Sequence, residues 1–157
     1  MKAALTGWKR LALAVATGGL LARERPLVGL RVLLVEGACP VVWTTTRLLR
    51  EAGAEVVGPV DWLDGERELV TCEEHLSGAV LDVRPGEGWI AKPLAAELVA
   101  RGVPVLLATV CEQEELPDAL RVLPRVYRPF DGELSRVAMT VFSATAGQPG
   151  RLQGKRL

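Results

Sequence analysis

From Leu30 onward the chain alternates short apolar runs with segments of helical period, and four of the runs end on residues able to do chemistry. These are Arg31-Val-Leu-Leu-Val-Glu36, Gly78-Ala-Val-Leu-Asp-Val83, Val103-Pro-Val-Leu-Leu-Ala-Thr109 and Val122-Leu-Pro-Arg-Val-Tyr-Arg128. Such alternation marks an α/β domain, in which crossover helices cover both faces of a parallel sheet. Parallel strands share one C-terminal edge, and open sheets of this kind bind their ligands there. Glu36, Asp82, Thr109 and Arg128 are therefore expected to line one depression: two acids, a hydroxyl and a cation.

The spacing predicts five strands. Val32 to Val35 is the first, followed by a helix that starts near Pro40, carries Val41, Thr45, Leu48, Leu49 and Ala52 on one face, and stops at Gly53. Glu55 to Pro59 reads as a second strand and Asp61 to Ser77 as a polar helix with sparse apolar positions. Ala79 to Val83 is the third strand. The Pro- and Gly-containing loop Arg84 to Gly88 leads into a helix over Trp89 to Arg101, capped by Gly102. Val103 to Ala108 is the fourth strand. Pro117 leaves room for only an abbreviated helix in Cys111 to Arg121. Val122 to Tyr127 is the fifth strand, and Asp131 is placed to N-cap a last helix carrying Leu134, Val137, Ala138, Val141 and Phe142 at helical spacing. This reading divides the chain into an extension at 1–29, a domain at 30–143 and a flexible tail at 144–157.

Residues 1–29 admit two readings. Lys2, Lys9 and Arg10 precede the apolar run Leu11 to Ala22, as in a secretory signal, but Gly18-Gly19 interrupts the run and Leu20 spoils the cleavage pattern. The run is also shorter than the about 20 residues a membrane span needs. An extra amphipathic helix or N-terminal arm is the preferred reading. Leu5, Trp8, Leu11, Ala12 and Val15 would form its apolar stripe, to be covered either by its own domain or by a second copy in a homodimer. The 19 Lys+Arg against 19 Asp+Glu argue against nucleic acid as a partner, and no membrane partner is expected. Three cysteines, Cys39, Cys72 and Cys111, are odd in number and widely spaced, so neither a disulfide framework nor a zinc site is suggested and a reducing, cytoplasmic compartment fits best. His75 is read as a surface residue.

The ordered strand ends, with Arg128-Pro-Phe130 closing the series, resemble the response-regulator receiver domain of two-component signalling over roughly residues 30 to 143. That resemblance implies a doubly wound five-stranded sheet in the order 2-1-3-4-5. It implies that Asp82 accepts a phosphoryl group from a histidine kinase or phosphotransfer protein, that Thr109 hydrogen-bonds that group, and that Arg128 takes the place of the family's lysine. It further implies a magnesium site made by Glu36, Asp82 and the backbone carbonyl of Arg84. The chain departs from the family at two of these points. Gly37 stands where the family has a second, metal-binding acid, and Mg²⁺, which needs hard oxygen ligands, is expected to bind weakly. Arg128 replaces a compact ammonium with a planar fork, which is not a conservative change at a phosphate site. Two acids and one cation leave one net negative charge, where three acids and a lysine leave two. Arg128 is accordingly expected to clamp Asp82 as a resting ion pair. Arg125 occupies the place of the family's switching aromatic, with Tyr127 offset by two.

The expected function is a stand-alone, atypical receiver that signals through protein contacts, not an enzyme. The alternative is a ligand-binding or enzymatic protein of the same architecture, since fold alone does not set function. Against it, Gly18-Gly19 and Gly86-x-Gly88 lack the strand-glycine-helix context of a nucleotide loop.

Overall fold

The computed structural model describes residues 25–37, 42–71, 75–128 and 133–146. The elements in chain order are β1 (Arg31–Glu36), α1 (Val42–Glu51), β2 (Glu55–Val60), α2 (Trp62–Thr71), β3 (Gly78–Val83), α3 (Gly88–Ala100), β4 (Val105–Thr109), a 3-10 turn (Gln113–Glu115), α4 (Asp118–Arg121), β5 (Arg125–Tyr127) and α5 (Glu133–Ala146). The five strands form one parallel sheet in the order β2-β1-β3-β4-β5. This is the doubly wound architecture expected from the alternation.

Strand alternation divides the core into two layers. Val32 and Leu34 of β1, Val80 of β3, Leu106 and Ala108 of β4 and Val126 of β5 face one side, where Leu49 of α1 and Leu134, Ala138 and Phe142 of α5 cover them. The intervening residues, Leu33, Val35, Ala79, Leu81, Val83, Val105 and Leu107, pack on the other side against Leu69 of α2, Leu94 and Leu98 of α3 and Leu120 of α4. β3 is buried along its whole length because it is the central strand and both of its faces are covered. A continuous apolar run is what such a strand requires.

Several boundaries differ from the sequence expectation. β5 is three residues long because Leu123 and Pro124 still belong to the turn after α4, although the Pro124 carbonyl already accepts the Leu107 N–H at 2.9 Å. β4 begins at Val105, since proline at 104 has no N–H to give to a ladder. α2 is described over Trp62–Thr71 and residues 75–77 are not helical, short of the expected Ser77, while α5 runs to Ala146, into the region read as tail. The packed domain also begins earlier than residue 30: Leu27 is fully buried, and its N–H donates to the Ala52 carbonyl at 2.8 Å. Gly53 and Gly102, with φ of +99° and +74°, follow α1 and α3 as expected of residues that end a helix in the left-handed region. The amphipathic reading of the first 24 residues, the thiols Cys39 and Cys72, the cap at Asp131 and Phe130 lie outside the described residues. Among the described residues no helix is long and apolar enough to cross a membrane.

The tightest constraint on the core is at the start of β3, where a Cβ on Gly78 would lie 2.3 Å from the Phe142 ring of α5. Gly78→Ala is expected to destabilise the fold by about 1–3 kcal/mol, the range for an overfilled core. Adding Phe142→Leu should make the pair less destabilising than the sum of the two single changes, as read from urea unfolding midpoints.

Candidate functional site

At the C-terminal edge of the sheet the inner face of the α1/α5 layer changes from apolar to charged. Glu36 continues the series Val32, Leu34; Asp82 continues Val80; and the two acids are direct register partners in adjacent parallel strands. Both are buried, at 4% and 2% exposure. Arg128 follows β5 on the same face, its backbone held by an N–H donated to the Thr109 carbonyl at 3.1 Å. From there its guanidinium crosses the end of β4 to the two acids. One nitrogen, Nη2, donates to Asp82 Oδ2, lies 3.6 Å from Glu36 Oε1 and donates to Thr45 Oγ1 at 3.0 Å.

Thr45 is the member that the sequence reading did not single out as functional. It sits one turn before the buried Leu49 on the inward face of α1, and its side chain is fully buried at the acid edge of the sheet. Helical spacing had placed it on that inward face. What periodicity does not report is that this face, one turn earlier, meets charged rather than apolar neighbours.

Thr109 is placed differently. Its strand alternation sets it with Val105 and Leu107, on the opposite face of the sheet from Asp82 and Arg128. Its hydroxyl donates to the Val83 carbonyl at 2.6 Å and accepts the Cys111 N–H at 2.9 Å, so both of these bonds go to backbone that joins β3 to the loop after β4. Cys111 itself is buried beside the same carbonyl. The structure thus brings together Glu36, Asp82 and Arg128, with Thr45, while the Thr109 hydroxyl braces the neighbouring loop. Arg125 points away into a bond from Nη2 to the Arg121 carbonyl at 2.7 Å; Tyr127 is 45% exposed. His75 is exposed.

Burial is the largest influence on both carboxyls and raises their pKa values from the ordinary carboxylate range. For Glu36 the Thr45 hydrogen bond opposes that rise, Asp82 adds to it by like-charge repulsion, and Arg128 opposes it. For Asp82 the Arg128 charge and hydrogen bond oppose the rise and Glu87 adds to it. Glu36 Oε1 has no hydrogen-bond partner and lies 3.6 Å from the Arg128 nitrogen. A buried acid in that situation favours its neutral form.

The loop after β3 bears on whether these residues suit a divalent cation. The Arg84 carbonyl accepts the Glu87 N–H at 2.9 Å, and Glu87 Oε2 accepts the Arg84 N–H at 3.2 Å, so the loop closes on itself. A Cβ on Gly37 would lie 2.5 Å from Glu87 Oε1, which means that the Glu87 carboxylate fills the space an acid at position 37 would use. Among the described residues no three His, Cys, Asp or Glu side chains are grouped to hold a metal ion. Of the three ligands implied for magnesium, Asp82 is engaged by Arg128, Glu36 lies beside the same cation, and the Arg84 carbonyl is in a turn. This donor set does not fit Mg²⁺, which demands near-octahedral oxygen coordination.

No family model and no curated protein sequence matches the chain. Solved structures do match. The chain is similar to SdrG from Pseudomonas melonis Fr1 in its BeF3-activated conformation, at 26% identity and a TM-score of 0.57, over 71% of this chain and 95% of that one. It is similar to a response regulator receiver protein from Sinorhizobium medicae WSM419, at 19% identity and a TM-score of 0.56, over 74% and 96% of the two chains. A mutant of the anti-anti-sigma factor PhyR from Bartonella quintana matches at 13% identity and a TM-score of 0.60, over 90% of this chain and 58% of that one.

The raised carboxyls set the sign of a pH effect. Where a folded-state pKa lies above the unfolded value, the folded protein holds the proton more tightly, so that contribution to stability is full at low pH and is lost as pH rises through the folded value. Glu36→Gln removes one such group. The variant should therefore gain stability relative to the wild type as pH rises above the ordinary carboxylate range, and a difference in thermal unfolding that shrinks as pH rises would count against Glu36 as a raised acid.

Proposed function

We propose that this chain, a response-regulator receiver domain by its fold and strand-end residues, works in signal transduction through protein contacts governed by the state of the pocket at Asp82. The observation that carries the reading is the placement of Asp82. It is a buried carboxylate at the C-terminal end of the central strand, paired in register with Glu36 and bonded to a cation that follows β5. A doubly wound sheet offers its ligand site at this edge.

Asp82 is the candidate phosphoacceptor, and a histidine kinase or phosphotransfer protein is the candidate donor. Transfer to a carboxylate must overcome repulsion between like charges, and in phosphoryl transfer that task falls to positioning and to neutralising cations. Here Arg128 is the neutralising group, and by bonding Asp82 Oδ2 it also engages one of the two oxygens available for attack. The resting pocket is thus a poor acceptor, which makes weak phosphorylation part of the reading. Thr109 remains a candidate partner for a bound phosphoryl group only if its hydroxyl leaves the Val83 carbonyl. SdrG, whose structure was solved in a BeF3-activated conformation, and PhyR, an anti-anti-sigma factor, support a role of this kind. We place the protein in the cytoplasm on its cysteine pattern. Nothing in the described residues favours the ligand-binding or enzymatic alternative.

Incubation with a small-molecule phosphoryl donor such as acetyl phosphate, followed by intact-mass measurement, tests the acceptor. A slow, partial gain of one phosphoryl group that disappears in Asp82→Asn is expected. Labelling that persists in Asp82→Asn would remove Asp82 from the role.

A further inference from the structure

The donor set at the acid edge does not suit the divalent cation of the receiver family, and the same geometry shows what replaces it. A divalent cation in such a pocket would join oxygen ligands from separate elements and offset their charge. In this chain a single guanidinium nitrogen does both. Arg128 Nη2 bonds Asp82 of β3 and Thr45 of α1 and lies 3.6 Å from Glu36 of β1, so one atom bridges three elements. The side chain that supplies it is itself only 18% exposed.

We infer that Arg128 is the resident counter-cation of this pocket, with Thr45 as the residue that positions it, and that the pocket works without a divalent metal. The inference rests on the receiver reading of Asp82 and deepens it, since it concerns how that same site is regulated. Three features independent of the ion pair agree with it. Gly37 presents no side-chain ligand, and the space a Cβ there would use is taken by the Glu87 carboxylate. The Arg84 carbonyl accepts a turn hydrogen bond. Thr45, a polar side chain with no exposure, is directed at the guanidinium rather than at solvent.

A lysine in place of Arg128 would not do the same. Its ammonium is a point charge, whereas a planar guanidinium holds fixed donors directed at several acceptors at once. With no side-chain ligand at Gly37, the pocket holds two acids, and the Arg128 guanidinium reaches both. Thr45 fixes where that cation rests. Its hydroxyl accepts from Nη2, so it ties α1 to the cation that lies against both acids.

Titration calorimetry with Mg²⁺ and with Mn²⁺, together with thermal unfolding in the presence of either ion or of a chelator, tests the inference on the full chain. The wild type should give no binding heat and no shift in Tm with metal or chelator. Arg128→Ala, which leaves both acids without their cation, should gain divalent binding that raises its Tm, by the ordinary linkage of ligand binding to stability. Arg128→Lys keeps a positive charge and serves if the alanine variant does not fold; Thr45→Val keeps the arginine but removes one tether. Each should show binding heat and a metal-dependent rise in Tm that the wild type lacks, because the hard oxygens are then less fully engaged. Mg²⁺ binding by the wild type, or folded variants that gain none, would overturn the inference. Adding beryllofluoride separates this from the underlying reading. Variants that take Mg²⁺ but no beryllofluoride leave Arg128 as the metal substitute and remove Asp82 as an acceptor, whereas a wild type that takes both does the reverse.

Discussion

Two carboxylates buried side by side at the ends of adjacent strands are the condition to which the rest of the site responds. Parallel pairing of β1 with β3 sets Glu36 opposite Asp82, and the covering helices exclude water from both. Each acid there needs either a cation beside it or a proton on it, because desolvation and mutual repulsion both disfavour the charged form. Arg128 supplies the cation to Asp82 directly and to Glu36 at longer range, and Thr45 completes the set of acceptors around its nitrogen. Removing one partner from such a buried pair leaves an uncompensated charge, which is why these four side chains act as a unit.

The loop after β3 follows the same logic. Glu87 closes the turn by bonding the Arg84 N–H and fills the space over Gly37, so a third carboxylate stands near the pocket without joining the pair. Its charge adds to the rise in the Asp82 pKa, while the Arg84 charge opposes it. The loop therefore tunes the acid edge through space, while the Arg84 N–H and carbonyl are used in holding its shape. On the far side of the sheet, Thr109 and Cys111 perform the corresponding structural task for the β4 loop, both meeting the Val83 carbonyl.

Much of this was legible in the chain itself. Continuous apolar runs separated by helical periods determined a doubly wound parallel sheet, because only strands buried on both faces require them. The polar residues that end those runs determined that Glu36, Asp82 and Arg128 would share an edge, since parallel strands end together. Gly37 and Arg128, read against a family resemblance, marked an unusual pocket. Tertiary structure decided the rest. It set the register that pairs Glu36 with Asp82 and leaves Thr109 on the other face: counting residues places a side chain on a face only once the strand pairing is known. Thr45 was visible only as one more inward position of an amphipathic helix, because helical period says which face turns inward and nothing about what that face meets. The contact between Glu87 and the space above Gly37 joins positions fifty residues apart, and no local pattern records an approach that depends on how a loop folds over the end of a neighbouring strand.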